Sequence, residues 1–240
     1  TQDILIVRHP WRAPEARLEA ARVRWGLLPS WAKDASMAAK LANARGETVA
    51  EKPAFRSAFR RMRCLVPADG FYEWEATPSG KQPWFIRLKA GGLLAFAGLW
   101  EHWQAPDGTP LETATLITTD ANALVRPVHD RMPVILQPAD YAAWLGAQTK
   151  AEDLKALLKP LPEDLMERYR VSRRMSNARN EGEECMVPWS WDLLSQFLRQ
   201  TCFQATTAAY RPKRTSEIRS VAVRLRPEAS LPCNFPVGAA

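Results

Sequence analysis

The chain has 240 residues, 46% hydrophobic and 25% charged, which suits one large folded domain with or without an appendage and excludes a disordered or fibrous chain. No apolar run approaches the roughly 20 residues of a membrane-spanning helix, and no charged-then-apolar leader opens the sequence, so a cytosolic or, in a nucleated cell, nuclear protein is expected. The net charge of +7 is uneven: seven Lys and Arg against three Asp and Glu from Trp189 onward leave 26 against 23 in residues 1–188, so bulk charge does not name a partner.

In chain order, Asp3–Val7 reads as a strand, and residues 14–25 mix helix formers with alternation. Trp25–Trp31 is apolar but broken by Gly26 and Pro29, which predicts a strand running into an exposed turn. Pro53–Arg63 places Phe55, Ala58, Phe59 and Met62 at helical spacing among basic residues, predicting a basic amphipathic helix. Strands follow at Cys64–Pro67, Phe71–Glu75, Trp84–Leu88, Leu93–Trp100 and Thr113–Thr119, with turn chemistry at Thr77-Pro-Ser-Gly80. Val134–Leu136 is an apolar strand, Pro138–Leu145 and Ala151–Leu158 are helices, and Tyr169–Ser172 is a last strand. Strands outnumber helices and cluster in the middle, which predicts an antiparallel-rich α+β domain rather than a doubly wound one. Residues 1–188 form that domain; residues 189–240 are basic and weakly patterned, and are expected to be a disordered or spurious tail.

Cys64, Cys185, Cys202 and Cys233 are scattered with no C-x-x-C pair, and only three histidines are present. Neither a zinc site nor a disulfide framework is expected, and no metal or cofactor. Four polar groups stand out instead: Asn43 with Arg45, Glu47 and Thr48; Glu73 within Asp69-Gly-Phe-Tyr-Glu-Trp74; Thr118 at a strand end; and His129-Asp-Arg-Met-Pro133. Polar groups at strand ends of one sheet converge at a mouth, as binding sites do. Taken singly, each has a plainer account: alternation turns a strand glutamate to solvent, a lone histidine is a surface or satisfied core residue, and a loop asparagine supports a turn.

Together, N-A-R-x-E-T at Asn43–Thr48, C-L-V-P-A-D-G-F-Y-E-W at Cys64–Trp74, K-Q-P-W-F, A-G-L-W-E, H-D-R-M-P at His129–Pro133 and V-S-R at Val171–Arg173 resemble the SRAP (SOS response-associated peptidase) family over roughly residues 1–188. The resemblance implies a barrel-like mixed sheet with peripheral helices and a monomer that handles abasic sites in single-stranded DNA. It implies a mature N-terminal cysteine that closes a thiazolidine on the opened sugar, with self-removal of the initiator methionine. By the same resemblance Glu73 is the acid/base carboxylate, desolvated by Tyr72 and Trp74; His129 stabilises the opened sugar; and Asn43 hydrogen-bonds near the amine and aldehyde. Arg45 and Arg131 bind phosphates, Thr118 lies along the DNA path, and Trp31 wedges against unstacked bases. The family's M-C-G-R segment would precede Thr1, whose own α-amine is expected far from the site. A noncovalent single-strand binder and an inactive remnant are the alternatives.

Overall fold

The computed structural model describes residues 2–13, 15–177, 180, 183–189 and 222–224. The first two strands, β1 (Asp3–Arg8) and β2 (Glu19–Trp25), form an antiparallel pair that aligns Asp3 with Arg24 and Arg8 with Glu19. A 3₁₀ helix at Ala35–Leu41, capped by Asp34 accepting the Ser36 N–H, delivers the chain to β3 (Asn43–Arg45). Next come α1 (Arg56–Arg61), β4 (Arg63–Ala68), β5 (Gly70–Thr77), β6 (Gly80–Leu88), β7 (Leu94–Gln104) and β8 (Pro110–Asp120). The order ends with β9 (Arg131–Pro133), α2 (Tyr141–Leu145), α3 (Ala151–Ala156), β10 (Met166–Arg170) and β11 (Ala222–Arg224).

One sheet runs β2-β1-β4-β7-β8, and β2 pairs again with β8 in parallel, so five strands close into a barrel. Closure removes the free edges that an open sheet of this kind would expose. Inward positions of alternate residues, among them Ile4, Ile6, Val23, Trp25, Cys64, Phe96, Trp100 and Leu116, fill it as one core cluster. The outer face of β4 and β7 is covered as well, by Phe59 of α1 and Trp144 of α2, with Leu65, Ala97 and Leu99 beneath them. Burial on both faces explains why β7 reads as a continuous apolar run.

Arg63 ties both helices down. Its guanidinium donates to the carbonyls of Phe59 (2.7 Å) and Arg60 (2.6 Å) at the end of α1, and of Trp144 and Gly146 (both 2.6 Å) at the end of α2. One cation thus satisfies four carbonyls that helix ends leave without intrahelical partners.

The second sheet, β10-β6-β5-β11, packs one face on the barrel core through Phe71, Ile86 and Met166. Tyr72, Phe85 and Val171 gather on its other face, joined by Trp74 and Tyr169. Gly70 is required where β5 begins: a Cβ there would run into the Phe85 ring and come 2.5 Å from the Ile86 carbonyl oxygen.

Most of the expected elements are present with shifted ends. The predicted helix over residues 53–63 forms only at Arg56–Arg61, and within the ambiguous 14–25 stretch Glu19–Trp25 is the strand β2. The strand expected at Val134–Leu136 is displaced: β9 forms at Arg131–Pro133 on β8, and Val134–Leu136 only bridges to β7, where Ala97 donates to Val134 and Leu136 to Ala95. Of the 189–240 segment only Trp189 and β11 are described, with Ala222 opposite Tyr72; the expectation for the rest of the tail, and that for Thr1, lies outside the described residues.

Candidate functional site

Strand β8 outruns its barrel neighbours. Its last residues are flanked by parallel β3 on one side, with Asn43 opposite Leu116 and Arg45 opposite Thr118, and by antiparallel β9 on the other, with Asp120 opposite Arg131. This brings Asn43, Arg45, Thr118 and Arg131 to one end of the barrel. The Thr118 hydroxyl reaches the Ala44 carbonyl (3.4 Å), and Gly46 N–H donates to the Thr118 carbonyl (2.8 Å).

Arg131 locks the three segments together. Nη1 and Nη2 fork onto the two Glu47 oxygens (2.7 and 3.0 Å), Nη1 also meets Asp120 (2.7 Å), and Nη2 donates to the Thr118 carbonyl (2.8 Å). The bidentate geometry is the strong form of an arginine–carboxylate contact. Its Nη atoms are therefore committed within the chain and leave only Nε without a partner among the described residues. Arg131, expected as a phosphate ligand, thus also braces the site from within the chain. Arg45 is exposed at the same end.

Glu73 is buried, against the solvent-facing position that alternation in an aromatic strand suggests, at 5% exposure. The register explains it. Phe71 lies in the barrel core, with its ring 6.1 Å from Phe96, and alternation puts Glu73 on that same face. Tyr72 and Trp74 belong to the opposite face, so they are not the residues that desolvate it. Burial, and then the nearby charge of Asp130, push the Glu73 carboxyl up to about 8, so it is mainly neutral at neutral pH. The influence of Asp130 also sets Glu73 beside the His129-Asp-Arg131 segment. The His129 ring is anchored through Nδ1, which lies 3.0 Å from Arg131 N, 3.1 Å from its carbonyl and 3.4 Å from Asp130 Oδ1. Its Nε2 has no hydrogen-bond partner among the described residues.

Asn43 Oδ1, Thr48 Oγ1, Glu73 Oε1 and Arg131 Nε are all buried with no hydrogen-bond partner among the described residues. Unsatisfied buried polar groups are rare in native proteins, and four of them fall in this one set of neighbouring segments. The arrangement offers a neutral carboxyl that gives a proton, a carboxamide oxygen that accepts from an N–H or O–H, and an imidazole edge. Among the described residues no three His, Cys, Asp or Glu side chains gather as a metal would need. No described helix is long and apolar enough to cross a membrane.

Trp31 stands apart. It is 55% exposed on the turn after Leu28, whose neighbours Ala32, Ala38 and Trp103 form a separate small cluster. No hydrogen bond or ring stack joins it to Asn43, Glu73 or His129 among the described residues. Glu47 and Asp130 lie inside the motifs the sequence singles out, but without the bracing and charge roles the structure gives them, and Asp120 lies outside those motifs. Their signal was present in the acidic residues themselves, but only the strand register pairs them. Cys64 is sealed in the barrel, where burial drives its thiol up, and Cys185 is buried against the Asn180 carbonyl.

The N-terminal strand enters near this end. Trp25 N–H donates to the Gln2 carbonyl (2.9 Å), and the Trp25 indole donates to the carbonyl of Ala42, next to Asn43 (2.8 Å).

Comparison with known proteins agrees. Residues 1–178 match the family described as SOS response associated peptidase (SRAP). The abasic site processing protein YoqW of Bacillus subtilis (strain 168) is 47% identical over 165 residues, 68% of this chain and 74% of YoqW. The abasic site processing protein HMCES of Gallus gallus is 34% identical over 191 residues, 69% of this chain and 56% of HMCES. A crystal structure from Bacteroides thetaiotaomicron aligns at a TM-score of 0.70 with 27% identity, over 77% of this chain and 80% of that one. One from Bordetella bronchiseptica aligns at 0.63 with 31% identity, over 71% and 84%. The chain belongs to the SRAP family.

Proposed function

We propose that the chain processes abasic sites in single-stranded DNA, with Glu73 as proton donor, His129 and Asn43 as ligands of the opened sugar, and Arg45 on a flanking phosphate. The observation that carries this reading is the buried, unpartnered Glu73 carboxyl, neutral at neutral pH, set beside the His129 segment. The matched relatives named abasic site processing proteins supply the substrate class.

The chemistry follows from proton balance. Glu73 protonates the sugar ring oxygen as the C1′–O4′ bond breaks, the C1′ hydroxyl gives up its proton, and the aldehyde forms. An α-amine from an N-terminal cysteine adds to C1′, water leaves to give the imine, and the thiol adds across the C=N bond to close the thiazolidine. An α-amine titrates near about pH 8, so enough is neutral to react. A cysteine-bearing segment ahead of Thr1 would run in beside Gln2, at the Trp25–Ala42 contact next to Asn43. Because Arg131 is held by Glu47 and Asp120, its part is to fix His129 against Asn43. All these residues come from one chain, so a monomer suffices, acting wherever the cell holds its DNA.

The test uses the chain from Thr1 and the same chain preceded by the family's Met-Cys-Gly-Arg segment, each incubated with an abasic oligonucleotide and run on a denaturing gel. A retarded band from the extended form supports the proposal. Its absence, with the protein folded, overturns the covalent reading; binding without a band would leave a noncovalent single-strand module.

A further inference from the structure

The face of the second sheet that carries Glu73 continues past it. In β10, Arg168 stands opposite Ile86 and Arg170 opposite Trp84; in β5, Phe71 stands opposite Ile86 and Glu73 opposite Trp84. Directly opposite residues share a face. The face therefore begins apolar, with Phe71, Ile86 and Met166 in the barrel core, and ends in Glu73, Trp84, Arg168 and Arg170.

Both guanidiniums lie on the Trp84 indole, the Arg168 carbon 4.6 Å and the Arg170 carbon 5.1 Å from its ring centre. The negative face of an indole holds a cation in place without consuming its N–H groups. The indole N–H is itself fixed by Glu75 (2.9 Å), and that same carboxylate lies 3.8 Å from Arg170. Arg168 differs. It makes no ion pair among the described residues, and its Nη1 is buried with no acceptor. Glu73, mainly uncharged at neutral pH, does not neutralise it. The result is a pre-oriented guanidinium with an unpaired donor among the described residues, two strands over from the carboxyl proposed to act on the sugar, with Trp84 of β6 between them.

We infer that Arg168, set on Trp84, which stands opposite Glu73, is a phosphate-binding residue of this sheet face that takes a phosphodiester of the single strand next to the nucleotide held at Glu73. A planar fork of donors suits phosphate oxygens, and stacking on the indole lowers the freedom lost on binding. Trp84 acts as a positioning residue for Arg168, and Arg170, shared with Glu75, is the weaker cation of the two. This assignment rests on the reading of the site as one for single-stranded DNA.

The experiment measures binding of a fluorescein-labelled single strand carrying a tetrahydrofuran abasic analogue to the chain, by anisotropy across a salt series. Arg168→Gln is expected to weaken binding about five- to tenfold and to flatten the slope of log K against log salt by about 0.7, the loss of one phosphate contact. Arg168→Lys keeps a cation and is expected to keep the slope. Arg87→Gln, on the opposite face of the same sheet, leaves both unchanged. If Arg168→Gln lowers affinity but not the slope, or if Arg168→Lys loses the slope too, Arg168 is packing rather than phosphate ligation and the inference fails. If every variant binds like the unsubstituted chain, the inference fails while the DNA reading stands; if the unsubstituted chain does not bind, both fall. Should Arg168→Gln unfold, Arg168→Lys decides between these outcomes.

Discussion

Replacing Glu73 by Gln tests a cost that the site imposes on the fold. The carboxyl titrates near 4.5 in an open chain and near about 8 here, where burial comes first and Asp130 second. A group whose pKa is raised on folding adds stability that is complete below its unfolded value and is lost as pH rises through the folded one. Between about pH 4.5 and about pH 8 the chain therefore loses stability on the order of 4 kcal/mol through this residue, with about 3 of it already gone at neutral pH. Glu73→Gln keeps the shape and abolishes the titration. Its melting temperature is expected to exceed that of the unsubstituted chain at about pH 8, with the excess narrowing as the pH falls toward about 4.5. In the cysteine-bearing form the same substitution is expected to slow crosslinking by about 10²–10⁴, the usual worth of a positioned proton donor. Thermal unfolding across this pH range, paired with denaturing-gel kinetics, reads both effects. A variant less stable at every pH, or a gap that does not grow with pH, would refute the reasoning and leave Glu73 a structural residue.

Asp130→Asn removes the charge that helps to keep Glu73 protonated, so the alkaline fall in crosslinking rate should move to lower pH with little change in its maximum, as a pH–rate profile would show. Arg63→Met strips the shared cap from α1 and α2 and should cost about 3–5 kcal/mol in urea unfolding, while DNA affinity of the folded fraction is unchanged. Arg45→Ala, at an exposed position beside Asn43, should weaken single-strand binding across sequences and flatten the salt slope by about 0.7.

Much of this site was legible from the residues. The motifs at Asn43 and His129 stand at strand ends and Glu73 within a strand, and the fold brings β3, β8, β9 and the face of β5 together at one end of a barrel. Local patterning carried that far because strand alternation and turn residues are encoded within a few positions. Facing and pairing are not. Whether Glu73 looks inward depends on which face of β5 meets the barrel, and that is settled by Phe71 against Phe96, 25 residues away in the chain. The commitment of Arg131 to Glu47 depends on β8 lying between β3 and β9, a relation across 84 positions. The last strand expected at Tyr169–Ser172 leaves Arg168 out, whereas β10 is Met166–Arg170, and only its register on β6 places Arg168 and Arg170 over Trp84. The shortened α1 has a local cause: residues 51–55 close as turns, and Arg63 holds the helix end at Phe59 and Arg60.

A buried carboxyl kept neutral beside His129, as the proton donor of the site, is the claim on which the rest depends. Carboxyl carbon-13 NMR of the folded chain, with Glu73→Gln to assign the resonance, follows that proton directly. A midpoint near about 8 is predicted. A midpoint near 4.5, the ordinary glutamate value, would contradict it.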